Sequence, residues 1–462
     1  MAPTKNIQVK QEEDLDASSA APKSGDWSAG KGSLPGREFF GPLFLMLSTP
    51  PFSICFYHVC THMDGNFAAF FKLILSNGLL STLYSIWPTP FDVSVWKMIL
   101  SFMAFELILQ KYMPGKEFKA TVTPQGNIPI YKANGMQSYV TTLVTLLGLT
   151  YFELFRPAVV YEKFGEILSS MNLFALLFCA MLLVKSYVAP TNSDVVSSGN
   201  IVADYYVGRE LHPRIFGWDV KQFTNCRFGM MYWAVGILCY AHKNIELNNG
   251  IIQLGMAVNV ALQLVYISKF FYWEMGYMNS MDIQHDKAGF YICWGCLVWV
   301  PSVYTSHSFY LTENAPDISV LTALAIFTFG FLCIWINYDS DNQRYVFRQT
   351  NGECLIFGKQ PRYLVAEYAT ASGEIRKNLL LLDGWWKISR HFHYMPEILA
   401  SLCWGLPALN TSFIGPYFYT TFLTILLFDR AVRDDNRCAA KYGPFWTTYK
   451  KEVPYLIIPF VY

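Results

Sequence analysis

Apolar residues run along this chain in blocks approaching twenty residues, the length an α-helix needs to cross a bilayer. The blocks are Phe39–His58, Phe67–Trp87, Trp96–Gln110, Gln137–Phe155, Leu168–Tyr187, Phe228–Ala241, Ile251–Tyr272, Ala288–Tyr304, Val320–Tyr338, Met395–Leu409 and Ile414–Phe428. Several are short, and Phe67–Trp87 reads as a segment lying along the interface. The pattern predicts an all-α, polytopic membrane protein of about ten transmembrane helices. The last two blocks are joined by NTSFIGP, which predicts a tight antiparallel hairpin, and Asn410-Thr411-Ser412 is a glycosylation sequon by pattern.

Two polar stretches interrupt the blocks. Ala189–Gln222, punctuated by Pro and Gly, reads as a connecting loop. Tyr338–Lys377 reads as an extramembrane excursion with a β-hairpin or paired strands turning at Asn351-Gly352. It carries Arg344 and Arg348, four residues apart and so on one face if that stretch is helical. Residues 1–37 are polar and lack an apolar core, so they read as a disordered tail without a cleavable signal. Residues 38–462 read as one integrated transmembrane domain, its cofactor-binding part at about 338–462.

Composition sharpens the class. Hydrophobic residues make up 53% of the 462 and charged ones 15%, against about 25% charged in soluble domains. Net charge is only +1, so nucleic-acid binding has no electrostatic support. The charge is unevenly spread: from Asp341 to Tyr462 there are 14 Lys/Arg against 10 Asp/Glu. That excess suits an anionic ligand and, by the positive-inside rule, a cytosol-facing pocket. The eleven cysteines sit mostly in apolar stretches and read as packing residues, including the Cys293/Cys296 pair.

Chemistry concentrates at the carboxyl end. LLLLDGWWKISRHFHY and FDRAVRDDNRCAAKYGPFWTTY place Arg390, Arg430, Arg433, Arg437 and Lys441 among Asp429, Asp434 and Asp435, with Trp385, Trp386, Tyr394, Tyr442, Trp446 and Tyr449. Ionisable groups at membrane depth are expensive and mark functional sites. Arginine grips phosphate bidentately and aromatic rings stack on nucleotide rings. A solvated basic loop with helix-end salt bridges accounts for the same composition. His391 and His393, two residues apart, face different sides of a helix, which argues against a paired metal site. No Walker loop, H-E-x-x-H or G-x-G-x-x-G fingerprint is present, so any nucleotide site is built from helix ends and loops.

GWWKISRHFHY with RDDNRCAAKYGPFWTTY resembles the signature pair of the sterol reductase family, and NYDSDNQRYVFRQTNGECLIFGKQP and MDIQHDKAGFYICWGCLVWVPSVY resemble two further family blocks. Phe392 and the WGCLVWVPSVY block are more similar to the delta-7 branch than to the delta-14 branch. The resemblance implies NADPH as cofactor. By position it implies that Arg344 and Arg348 grip its phosphates, that Leu381 and Trp386 line it, and that His393 and Tyr394 contact it. It also implies that Arg430, Asp434 and Cys438, Ala439, Ala440, Lys441 and Tyr442 surround the nicotinamide half, with Tyr449 closing the site. The chain departs from the family at His393, where Asn is usual, and at Lys387, where Gly is common.

The implied reaction reduces the carbon 7–carbon 8 bond of a delta-5,7 sterol drawn from the bilayer, in the endoplasmic reticulum membrane. Protonation at carbon 8 leaves an allylic cation at carbon 7 that accepts hydride, so a proton donor is needed. The resemblance points to Tyr266; Glu274, eight residues on and just over two helical turns away, shares that face by spacing, and Asp434 orients the donor or stabilises the cation. Read from the residues alone, Tyr266 is an interfacial anchor, Glu274 a helix-end carboxylate meeting solvent, and His285-Asp286 either a cap for the next helix or a catalytic pair. Delta-14 sterol reduction, a methyltransferase with a similar carboxyl-terminal arrangement, and a sterol-binding scaffold without catalysis are the alternative functions.

Overall fold

The computed structural model describes residues 37–461 except 121, 124, 370–374 and 410–414. The amino-terminal tail and the NTSFIGP join with its sequon therefore lie outside the described residues. The described residues are mostly helical, with three short antiparallel strand pairs among them: Lys116–Lys119 with Ile130–Ala133, Arg214–Ile215 with Trp218–Asp219, and Tyr363–Ala369 with Ile375–Leu381.

Among the described residues five helices are long and apolar enough to cross a membrane: Phe39–His62, Val93–Tyr112, Phe164–Val188, Leu254–Tyr272 and Val320–Gln349. A sixth span results if the bent pair Phe67–Asn77 and Leu79–Ile86 counts as one. That pair folds through 117° about Gly78, whose φ of +82° is in the left-handed region that only glycine enters freely. The other apolar blocks form shorter or interrupted helices, so uninterrupted long helices among the described residues do not reach about ten. Gly135–Tyr151 has 17 residues, and the Ala288–Tyr304 block is broken into a short helix and the π-helical stretch Gly295–Tyr304. Pro301 lies within that stretch and has no N–H for the helical ladder.

The described chain forms two compact units. One comprises Lys31–Ile326 with Trp404–Tyr419. Its interior holds charge. Arg227, fully buried, places Nη1 2.6 Å from Glu274 Oε1 and donates from Nη2 to Asn134 Oδ1 at 2.6 Å. The Gly135 amide donates to Glu274 Oε2 at 2.7 Å. A Cβ on Gly135 would stand 2.7 Å from that carboxylate, so glycine is what admits the carboxylate to the backbone. Glu274 is thus a buried ion-pair member and not a carboxylate meeting solvent. It begins a separate short helix, Glu274–Met278, after a break at Trp273, so it does not continue the helix that carries Tyr266. Nor do His285-Asp286 cap the next helix: Gly289 occupies that position, and His285 ends Met281–Gln284.

The other unit comprises Phe327–Cys403 and Thr420–Tyr462. Its helices are the greater part of Val320–Gln349, Tyr394–Gly405 and Gly415–Tyr442, and all of Pro444–Glu452. The arginine-bearing helix continues about three turns past the apolar block, to Gln349. Asn351 and Gly352, both at positive φ, terminate it. The turn signal expected to form a hairpin is therefore a helix stop, and the hairpin follows twelve residues later. Leu364, Ala366, Leu380 and Leu382 from that hairpin region pack on Tyr442, Phe445, Trp446, Tyr449 and Val453.

Gly208 and Gly289 mark a close backbone approach in the first unit, where a Cβ on Gly289 would overlap the Gly208 amide nitrogen. Gly208 has φ +90°, and a Cβ there would meet the Ala288 carbonyl carbon at 2.5 Å. Gly208→Ala is expected to destabilise the protein by about 2–4 kcal/mol, from left-handed strain plus overpacking. A thermal melt of the purified protein in detergent checks this; a midpoint equal to that of the parent excludes it.

Candidate functional site

The carboxyl-terminal site is built on one face of the Val320–Gln349 helix. Residues four apart stack on that face, and Ser340, Arg344 and Arg348 continue one row. The Trp385-Trp386 pair, in the 3-10 turn Gly384–Lys387, docks against it. Trp386 Nε1 donates to the Ser340 carbonyl at 2.8 Å. The Arg344 guanidinium lies 4.1 Å from the Trp386 ring centre, in cation–π contact. Trp385 Nε1 donates to Asp339 Oδ2 at 2.6 Å and its amide to Gln343 Oε1 at 3.2 Å. Gly384, at φ +67°, leaves room for Gln343, whose amide oxygen a Cβ would overlap.

From Trp386 a row of rings continues. His393 lies 5.0 Å from Trp386 and 4.3 Å from Tyr394, and His391 lies 5.4 Å from Tyr394 in a stacked arrangement. Asn337 Nδ2 fixes the turn by donating to the His393 carbonyl at 2.9 Å. Leu381 is buried beside Trp386 with Phe347 and Ile356.

The Gly415–Tyr442 helix supplies the opposite wall. Asp434 Oδ2 is 3.2 Å from His391 Nε2, and Arg437 pairs with Asp434 Oδ1. Burial by itself raises the Asp434 carboxyl, but the His391 hydrogen bond and the Arg437 charge hold it well below the usual carboxylate range. Asp435 is spent on structure: it pairs with Arg390 Nε at 3.2 Å and accepts from Trp446 Nε1 at 3.1 Å. Arg390 Nη1 also donates to the carbonyls of Val453 and Pro454, both at 2.8 Å, tying down the carboxyl-terminal tail. Tyr449 donates to the Leu381 carbonyl at 3.0 Å, and Asn378 Nδ2 donates to the Tyr442 hydroxyl at 2.7 Å.

The positive charges are incompletely balanced. Arg348 is exposed and has no ion pair among the described residues. Lys441 likewise has no carboxylate partner among them, and its ammonium lies 4.0 Å from the Tyr368 ring centre. Burial first, then Arg437, lowers the Lys441 ammonium, with Arg348 adding to the repulsion. Burial pushes the Tyr449 hydroxyl up to about 12, and Arg344, Arg390 and Arg348 pull the other way. Around Tyr394, burial dominates again and pushes its hydroxyl up to about 12, opposed chiefly by Arg430. Arg344, Arg348, Arg430 and Lys441 thus act on a shared neighbourhood lined by aromatic rings. Arg344 pairs with Asp341 at 3.4 Å and Asp434 shares the neighbourhood, but Arg348 and Lys441 remain without a carboxylate among the described residues, which suits a ligand bearing phosphate charges beside a flat ring.

Most sequence-derived site residues therefore come together in this unit: Arg344, Arg348, Leu381, Trp386, His393, Tyr394, Arg430, Asp434, Tyr442 and Tyr449, with half-buried Cys438 and Ala439. Ala440 is exposed on the outer side of its helix. Burial raises the Cys438 thiol to about 12, so it is a packing residue and not a nucleophile. Tyr266 and Glu274 belong to the other unit. There Tyr266 lies 5.6 Å from Trp233 and 5.1 Å from Trp404 by ring centres. Sequence reasoning missed Asp339, Ser340 and Gln343 as the dock for the tryptophans, His391 and Arg437 as partners of Asp434, and buried Arg227. The four-residue spacing of Asp339/Gln343 and Ser340/Arg344 was the available signal, used in the sequence reading only for Arg344 and Arg348 because hydropathy ends the helix at Tyr338. Among the described residues no His, Cys, Asp and Glu cluster is arranged to hold a metal.

Residues 40–462 match the model of the ergosterol biosynthesis ERG4/ERG24 family. The chain is 50% identical to 7-dehydrocholesterol reductase of Arabidopsis thaliana over 421 residues, covering 91% of this chain and 96% of that one. It is 35% identical over 377 residues to 7-dehydrocholesterol reductase of Xenopus laevis, covering 79% of each. It is 33% identical over 359 residues to Delta(14)-sterol reductase of Methylotuvimicrobium alcaliphilum, covering 77% and 80%.

Asp434→Asn is expected to cost about 1–3 kcal/mol at pH 7, since His391 and Arg437 lose their charged partner. The Asp434 carboxyl is depressed in the folded state. Its contribution is therefore complete above the ordinary carboxylate value of about 3.9 and disappears as pH falls through the depressed one. Chemical denaturation of both proteins between pH 7 and pH 3 checks this. A stability gap that does not narrow on acidification counts against the assignment.

Proposed function

The chain belongs to the ergosterol biosynthesis ERG4/ERG24 family, and from that premise we propose that it reduces the carbon 7–carbon 8 double bond of a delta-5,7 sterol with NADPH. The coarser statement stands on the family itself: this is a membrane-embedded sterol reductase of sterol biosynthesis. Preference for carbon 7 is supported by the relatives at 50% and 35% identity named 7-dehydrocholesterol reductase. A delta-14 reading is kept by the relative at 33%. An endoplasmic reticulum location and a cytosolic face for the cofactor fit a reductase that draws its sterol from lipid.

The observation that carries NADPH is the surplus of positive charge beside the docked Trp386, with Arg348 exposed and without an ion pair among the described residues. Half-buried Lys441 without a carboxylate partner among the described residues carries a desolvation cost that a phosphate-bearing ligand relieves, and exposed Arg348 is free to grip that phosphate. Arg344 and Arg348 hold the phosphates, and Leu381, Trp386, His393 and Tyr394 form the wall for the flat part of the molecule. Arg430, Asp434, the Cys438–Tyr442 run and Tyr449 complete it. Bound there, the nicotinamide supplies the hydride that carbon 7 accepts.

The remaining work falls to the protein. Tyr266 gives its phenolic proton to carbon 8; the carbon 7–carbon 8 π pair forms the new carbon–hydrogen bond, and the phenolate recovers a proton from water. Asp434, kept ionised, favours the developing cation electrostatically. Glu274, held by Arg227 and Gly135, anchors the chain just beyond the Tyr266 helix.

Sterol analysis in a host lacking its own delta-7 reductase tests the whole reading. Consumption of 7-dehydrocholesterol supports it, consumption of only a delta-8,14 diene moves the assignment to carbon 14, and bound sterol without product leaves a scaffold. Arg348→Ala is expected to raise KM for NADPH about tenfold, with a smaller change in kcat, through loss of a charge-assisted phosphate contact. Steady-state kinetics check this; an unaltered KM removes Arg348 from the cofactor site. Tyr266→Phe is expected to lower kcat by about 10²-fold or more with sterol binding retained. Full turnover in that variant rules Tyr266 out as donor.

A further inference from the structure

The unit carrying Tyr266 contains a fully buried polar trio that the reaction as described does not use. Asn259, Gln263 and Ser308 are each 0% exposed. Asn259 and Gln263 lie one turn apart on the Leu254–Tyr272 helix, which also carries Tyr266, and Ser308 comes from Ser306–Asn314. Gln263 Nε2 donates to Asn259 Oδ1 at 2.8 Å and to Ser308 Oγ at 2.7 Å. Ser308 Oγ donates to Asn259 Oδ1 at 2.7 Å.

The trio's outward bonds reach two indole residues. Gln263 Oε1 accepts from Trp233 Nε1 at 2.7 Å. Asn259 Nδ2 donates to the Trp404 carbonyl at 2.7 Å. These are the two tryptophans whose rings flank Tyr266, and they also contact each other at 5.6 Å. Both are almost wholly enclosed, at 1% exposure each.

Apolar side chains of the same volume could pack an interior position without the desolvation that two amides and a hydroxyl incur. What such groups add is direction: a satisfied buried network admits one arrangement of its members. Proton transfer to carbon is sensitive to the donor's placement, and displacement of about 1 Å costs on the order of 10²-fold in rate.

We propose that Asn259, Gln263 and Ser308 are positioning residues for Tyr266, acting through Trp233 and Trp404 to hold its phenol at the angle that delivers the proton. The inference rests on the reading of Tyr266 as donor. Sequence alone did not reveal it, because Asn259 and Gln263 sit inside a block that hydropathy reads as an ordinary membrane span.

The test uses the full chain in detergent with NADPH and 7-dehydrocholesterol. Gln263→Leu removes the acceptor for Trp233 and the donors to Asn259 and Ser308. Its kcat is expected to fall at least tenfold, with KM for NADPH within twofold of the parent. The solvent deuterium isotope effect on kcat is expected to rise, because a misplaced donor makes proton transfer more rate-limiting. Added to Tyr266→Phe, the same substitution is expected to cause no further loss, since it acts through the missing hydroxyl. Should Gln263→Leu fail to fold, Ser308→Ala, a smaller change, is read by the same measurements with an expected fall of about threefold in kcat. If Tyr266→Phe is inactive but the trio variants keep parental kcat and isotope effect, the positioning role is overturned and the donor assignment stands. If the losses multiply in the double variant, the trio is structural and the inference is overturned. If Tyr266→Phe is fully active, the donor assignment falls and takes the inference with it.

Discussion

Everything at the carboxyl-terminal site depends on how Trp386 is clamped. One helix supplies both jaws: the Ser340 carbonyl takes the indole N–H, and one turn later the Arg344 guanidinium covers the ring. The indole, 3% exposed, therefore cannot move without losing a hydrogen bond and a cation–π contact together. His393 and Tyr394 take their positions from that ring, and His391 brings Asp434 into the row. A guanidinium stacked on an aromatic face is also held in plane, so its N–H groups are aimed before any ligand arrives. Preorganisation of this kind lowers the entropy that binding must overcome.

The two units handle charge in opposite ways. Arg227 is enclosed and matched: carboxylate on one nitrogen, side-chain amide oxygen on another, with a glycine opening the carboxylate to a backbone N–H. Removing either partner from such an arrangement costs about 3–5 kcal/mol, which identifies it as a structural pin at depth. Arg348 is accessible and unmatched, an arrangement with no benefit to folding. The same residue type is thus locked into cohesion in one place and left available in the other, and the neighbouring carboxylates tell them apart.

How much of this was legible in the sequence follows from which forces act locally. Hydrophobic blocks reported helices well, because burial in lipid and helical period both leave their mark on composition. They reported helix ends poorly. The Val320–Gln349 helix outlasts its apolar block because Asp339, Gln343, Arg344 and Arg348 find partners or function on its polar end, and hydropathy does not weigh such contacts. Asn351-Gly352 was read as a strand turn, but the positive φ that both residues adopt ends a helix as readily as it turns a hairpin. Tyr266 and Glu274 were placed on one surface by counting eight residues, and the break at Trp273 is invisible to counting. The aromatic and basic cluster was legible because its members lie within about seventy residues of one another in the sequence; the Asn259, Gln263 and Ser308 trio was not, because its meaning lies in which distant indoles it touches.

The unmatched arginine has one more consequence. A surface whose cations are only partly matched by carboxylates draws whatever small multivalent anions the medium offers. Phosphate, citrate or sulfate in a purification buffer then gathers at the same arginine, and ionic strength screens what remains. An affinity determined for this protein is consequently a property of the electrolyte as much as of the polypeptide.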